Sequence, residues 1–190
     1  MQPCRSDAAV LPVLSGAGFS GWHALNDRIM GGSSSGSCRV GPGGLDFDGE
    51  VIEAGGGFIS CRSPLLSPPL NLEAHEGLEL EISGEGRCFK LAVGCADGVA
   101  GLTELIPGGL RWVHAFDTAA SGVTLVQLPF ASLRPSLRAQ PVGLPLVRFD
   151  AARITRLQLL HSRFGDDGRP NAGFRPGRIH FTLHAIRAYP

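Results

Sequence analysis

Close to its end the chain reads Ile179-His180-Phe181-Thr182-Leu183-His184, large apolar and polar side chains in strict alternation. Successive side chains of an extended strand point to opposite faces, so Ile179, Phe181 and Leu183 form an apolar row and the two histidines and Thr182 a polar one. This is the pattern of a strand with one face in a core. Upstream the same rhythm returns: Leu45 and Phe47 within 44–53, Leu78, Leu80 and Ile82 within 77–83, Phe89, Leu91 and Val93 within 87–93, Trp112, His114 and Phe116 within 110–117, then Val126, Leu128 and Phe130. Ile154 and Arg156 stand out of phase with Leu157 and Leu159, which predicts a bulge or local twist.

No window of twelve or more residues carries a helical apolar stripe; residues 150–156 suit one short turn at most. The 27 glycines and 14 prolines are spread along all 190 residues rather than gathered in a linker, as short strands joined by turns require. The expectation is an all-β, antiparallel sandwich: one domain over 19–190 preceded by an N-terminal extension, 1–18. Pro145, Pro170 and Pro176 mark 131–149 and 164–178 as long surface connections.

Seventeen basic and seventeen acidic residues cancel, so no overall field would hold the protein on nucleic acid or on an anionic membrane. Lys90 is the only lysine, and the arginines are scattered. Five cysteines (Cys4, Cys38, Cys61, Cys88, Cys95) in an irregular, odd-numbered set without a C-x-x-C pair suggest reduced thiols. The apolar stretch 8–14 is too short to span a bilayer. Together these features predict a cytoplasmic location, at most peripheral to a membrane.

Several short motifs invite chemical readings that their surroundings oppose. Gly16-Ala-Gly-Phe-Ser-Gly21 has dinucleotide-loop spacing, but no helix can start there with Gly31-Gly32 following so soon. Gly32-Ser-Ser-Ser-Gly36 would make Ser34 a nucleophile, yet glycines and Pro42 follow where the helix of a nucleophile elbow belongs. His180 and His184 lie about 13 Å apart along a strand, too far to share a metal even with His161 nearby. Asp166-Asp167-Gly168 is a turn signal, and Asp46 and Asp48 straddle one strand, so neither has calcium-loop spacing. No catalytic, metal or cofactor residue is assigned.

Trp22-His-Ala-Leu-Asn-Asp-Arg-Ile-Met-Gly-Gly-Ser-Ser-Ser-Gly36 resembles the opening signature of the complex I intermediate-associated protein 30 family, a tryptophan followed by N-D-x-V-M-G-G-x-S. Gly44-Leu-Asp-Phe-Asp-Gly-Glu-Val51 and Gly56-Gly-Phe-Ile-Ser-Cys-Arg62 are similar to its next two motifs. Gly77-Leu-Glu-Leu80, Gly84-Glu-Gly-Arg87, Lys90-Leu91, Phe116-Asp-Thr118, Leu128-Pro-Phe130, 154–160 and Ile186-Arg-Ala-Tyr189 follow in order. Ser162–Phe174 resembles a segment of the branch found in photosynthetic organisms.

The resemblance implies a galactose-binding-like jelly roll and a non-enzymatic assembly factor, with partners among the subunits or assembly intermediates of a membrane redox complex. A carbohydrate- or small-ligand-binding module is the alternative. In the signature motifs, Asn26 and Asp27 suit a tight turn, Met30 a core gap and Gly31-Gly32 positive φ; Ser33, Gly56, Gly57 and Phe58 complete the turn-forming set. A functional reading instead places Asn26, Asp27, Arg62 and Lys90 on one face, where they would bind a polar ligand or partner loop.

Overall fold

A computed structural model describes residues 9–96, 109–143 and 148–190, so Cys4 and Pro145 fall outside the described residues. Among the described residues, thirteen strands form two antiparallel sheets. The six-stranded sheet runs β3 (Ser35–Gly41), β4 (Gly44–Val51), β13 (Gly177–Tyr189), β6 (Gly77–Ser83), β9 (Thr124–Pro129), with β1 (Leu11–Ser15) also paired to β13. The seven-stranded sheet runs β11 (Gln140–Pro141), β10 (Arg134–Leu137), β8 (Arg111–Asp117), β7 (Cys88–Cys95), β12 (Ile154–Ser162), β5 (Phe58–Arg62), β2 (His23–Ala24).

The alternating rows supply the core. Ile179, Phe181 and Leu183 are buried, as are Leu45 and Phe47 on the neighbouring strand. Phe47 stacks on Phe181 at 5.0 Å, and Phe89 from the opposite sheet meets the same ring edge-on at 5.1 Å. Burying each such side chain contributes roughly 1.5–3 kcal/mol, enough to fix the facing of every strand, since a one-residue slip would turn its whole row to water.

The first half of β13 pairs with β4 over Gly177–Leu183, and β1 takes over beside Ala185–Ala188. The six-stranded sheet therefore includes residues ahead of Phe19. The phase slip in the sequence is a register shift between Ile154 and Arg156 where β12 meets β7.

Three expectations need correction. Phe130 begins a short 3-10 turn rather than continuing β9. The connection 131–149 contains β10 and β11, short strands that accommodate Pro135 and Pro141 near the end of the sheet. Cys38 on β3 and Cys61 on β5 form a disulfide that ties one sheet to the other, while Cys88 and Cys95 are buried outside that bridge. The odd count misled because, among the described residues, one bridge coexists with buried cysteines that do not join it. Among the described residues, no helix is long and apolar enough to cross a membrane.

Candidate functional site: a cationic cleft beside a buried aspartate

After β2 the chain makes one 3-10 turn, Asp27–Met30, closed by Gly31 in the left-handed conformation (φ 87°). Asp27 points inward and is wholly buried. It accepts hydrogen bonds from the Ser34 amide (2.9 Å) and hydroxyl (2.7 Å) and from the amides of Gly57 (2.7 Å) and Phe58 (3.3 Å). Burial pushes its carboxyl pKa up, but the hydrogen bonds from the Ser34 hydroxyl and the three amides outweigh it and hold the group below its ordinary value. A Cβ on Gly32 or Gly56 would fall on the Asp27 side chain. Gly32 and Gly56 thus clear space for one carboxylate, which joins segments some thirty residues apart.

This cage settles the reading of Ser34. Its buried hydroxyl donates to Asp27 and accepts from the Ile52 amide at 2.9 Å; among the described residues its partners are an acid and backbone rather than an imidazole that could act as base. Gly16–Phe19 is a single 3-10 turn whose Phe19 enters the core, so no helix N-terminus faces a phosphate there.

With Asp27 anchored, the outer side of the turn projects. Ile29 and Met30 are 67% and 66% exposed, so Met30 fills no core gap: the inward-facing place in this turn belongs to the carboxylate. Both residues border a cleft of about 640 Å³ on the outward face of the seven-stranded sheet.

The strand register builds its floor. Arg62, Gln158, Ala92 and Val113 stand side by side across β5, β12, β7 and β8, and Ser60, Leu160, Lys90 and Ala115 form the next row. Phe58, Arg111, Ser136, Arg138 and Ala139 also line the cleft. Gln158 is fixed by its amide donating to the Ser60 hydroxyl at 2.8 Å.

Lys90 is only 5% exposed. Its ammonium donates one hydrogen bond, to the carbonyl of Gly165 at 3.3 Å, and no carboxylate of a described residue lies within 4.0 Å of it. Burial lowers its pKa to about 8, against partial support from Asp166, Cys88 and Asp167. Asp166 is occupied elsewhere, accepting from the Ala115 amide at 3.0 Å. The 162–174 connection, pinned by Asn171 to Ser162, thus supplies the acceptor of Lys90 among the described residues.

Of the four sequence candidates, Arg62 and Lys90 line the cleft. Asp27 sits behind the rim, and Asn26 lies outside the lining, its amide donating to the Gly36 carbonyl at 3.4 Å. Gln158, Arg111, Arg138 and Ile29 were not singled out, although the outward phase of β8 and β12 marks Arg111 and Gln158. The histidines form no cluster: His161 is buried, bonded to the Cys88 carbonyl at 2.8 Å, whereas His184 contacts Ser83 and Gly43 on the other sheet. No group of three or more potential metal ligands occurs among the described residues.

The fold is similar to that of solved carbohydrate-binding modules and of part of an agarase. A family 11 carbohydrate-binding module from Clostridium thermocellum, in complex with a β-1,3-1,4-mixed-linked tetrasaccharide, superposes with a TM-score of 0.65 at 16% identity, over 95% of each chain. The family 11 module of the cellulosomal cellulase Lic26A-Cel5E of the same organism gives 0.66 at 14% identity, over 95% of this chain and 94% of that one. The agarase AgWH50C gives 0.53 at 9% identity, over 95% of this chain and 25% of the enzyme. At these identities the likeness establishes the jelly-roll sandwich alone. A search of curated protein sequences gives no significant match. The sequence model of complex I intermediate-associated protein 30 matches residues 14–182, which takes in the Asp27 cage and nearly every strand, and the chain therefore belongs to that family.

Proposed function

We propose that the domain works by binding, as an assembly factor for a membrane-bound electron-transfer complex, and that the cleft over β7 and β12 holds a segment of its partner. The observation that carries this reading is a cleft with the buried Lys90 at its floor and the exposed Ile29 and Met30 at its rim, in a chain of a family named for an intermediate of complex I. Apolar rim residues, a few fixed polar groups and one buried cation are what a recognition site needs. The resemblance of Ser162–Phe174 to the photosynthetic branch makes a photosystem the first complex to examine and a complex I-like enzyme the second. The domain would work on the aqueous side of such a membrane, in peripheral contact at most. Deleting the gene and following pulse-labelled complexes on native gels should show one of them accumulating slowly. Normal assembly of every such complex would remove the proposal.

The bound tetrasaccharide of the first structural neighbour supports a second reading, a carbohydrate-binding module. The composition of the cleft speaks against it. Phe58 is the one aromatic side chain among its described lining residues, which gives a sugar ring little flat apolar surface to stack on. Calorimetric titration with the mixed-linked tetrasaccharide should show no heat of binding; saturable binding in the cleft would favour the module.

A further inference from the structure

We propose that the cleft takes an acidic, apolar segment of a partner protein, its carboxylates among Lys90 and Arg138 and a neighbouring large apolar side chain against Ile29, Met30 and Phe58. This rests on the docking role proposed above and adds the chemistry of what docks.

Charge complementarity is the first argument. The chain as a whole is neutral, yet Lys90 and Arg138 both line the cleft and no carboxylate belongs to its described lining. Lys90, at the floor, spends one of its three N–H donors on a backbone carbonyl at 3.3 Å and has no described carboxylate within ion-pair reach. A cation removed from water in this way is satisfied best by an anion brought in from outside. Burial already holds its pKa down to about 8, with Asp166 and Asp167 offsetting only part of that cost.

The second argument is independent of Lys90. Leu137 and Gln140 pair across the β10–β11 hairpin, leaving Arg138 (φ 49°) and Ala139 (φ 64°) as its two central residues, both in the left-handed region. A two-residue turn of this kind favours asparagine and glycine. Here an arginine and an alanine occupy it, and both line the cleft. Strain accepted at a cavity wall points to a site where the side chain matters more than the ease of the turn.

The third argument selects the occupant. Ile29 and Met30 are exposed at the rim because the Asp27 cage turns them outward. Free phosphate would gain nothing from them and a neutral sugar brings no charge to pair with Lys90, whereas an acidic residue beside a leucine-sized one uses both.

The single lysine makes the test direct. Protein labelled with ¹³C at lysine Cε is titrated with an acetylated, amidated hexapeptide that alternates leucine and glutamate. Parallel titrations use its glutamine-for-glutamate and alanine-for-leucine counterparts and inorganic phosphate. The acidic peptide should shift the Lys90 resonance saturably, and both counterparts should bind about tenfold or more weakly. By fluorescence anisotropy of the labelled peptide, Lys90→Met and Arg138→Asn should each weaken binding about ten- to a hundredfold. Neither variant should harm folding, since methionine suits a buried site and asparagine suits the left-handed turn. Equal binding of the glutamine peptide, phosphate competing with no dependence on leucine, or no saturable shift at all would overturn the proposal. If the acidic peptide fails while Lys90→Met still slows complex assembly in cells, the docking role stands without this chemistry. If the peptide binds but gene deletion leaves assembly normal, the chemistry stands without the role.

Discussion

Replacing Lys90 with methionine should make the protein more stable while weakening what it binds. The side chain is 5% exposed, and burial holds its pKa at about 8 instead of 10.5. At 1.36 kcal/mol per pKa unit, keeping the ammonium charged at neutral pH costs the folded state roughly 3 kcal/mol. Methionine removes that cost at similar length but leaves the Gly165 carbonyl without its donor, a loss of about 1 kcal/mol. The expected net gain is about 2 kcal/mol at pH 7, or roughly 4–8 °C in Tm for a domain of this size.

The pH dependence supplies an internal check. The unfolded chain keeps the lysine proton up to 10.5 while the folded one releases it near 8, so between those values the unfolded state binds more protons and wild-type stability rises with pH. Cys88 acts in the opposite sense above pH 9, because burial, helped by Asp117, pushes its thiol up to about 11. The clean window is therefore pH 7–9, where wild type should gain stability on Lys90→Met and close much of the gap. Urea unfolding at intervals across that range measures both curves. A variant less stable than wild type at pH 7, or a gap that does not narrow, would refute the claim that Lys90 is a buried cation awaiting an anion.

Asp27→Asn sets an amide against the Ser34, Gly57 and Phe58 donors and should lower stability by about 3 kcal/mol in thermal unfolding. Because the native carboxyl pKa is depressed, the deficit should be largest above the ordinary carboxylate range and shrink as the pH falls through it. Gly56→Ala, whose Cβ would meet Asp27, should cost about 1–3 kcal/mol, whereas Gly43→Ala, with nothing within 4 Å, should be neutral in the same scan. Met30→Ser should leave stability within about 0.5 kcal/mol because Met30 is 66% exposed, yet reduce partner capture; a large fall in Tm would restore a core role. Cys38→Ala opens a bridge spanning 23 positions and should cost about 3 kcal/mol by denaturant titration.

The fold was legible wherever one face of a strand is buried. Ile179, Phe181 and Leu183, or Leu78, Leu80 and Ile82, announce a sheet face by alternation alone, and the offset at Ile154 announces its bulge. The candidate site was legible in part. Arg62 and Lys90 stand out as cations beside apolar strand residues, and the cross-strand register brings them together. The rest depends on which segments pack together, something no local pattern records. An Asn-Asp pair before Gly-Gly reads as a turn, but only the approach of Gly56–Phe58 shows that Asp27 is the hub and that Met30 must point to solvent. The Cys38–Cys61 bridge likewise requires the two sheets to be facing. Arg138 and Ala139 carry no turn signature at all, which is why their backbone conformation is informative.

The central claim, that the outward face of the seven-stranded sheet is the docking surface, can be tested by placing a photo-crosslinking amino acid at Ile29 on the cleft rim and, separately, at Leu125 on the exposed edge of the other sheet. Irradiation in living cells, followed by mass spectrometry of the adducts, should join Ile29 to a subunit or assembly intermediate of a membrane electron-transfer complex and leave Leu125 unreacted with it. Adducts to that complex from Leu125 and none from Ile29 would contradict the account.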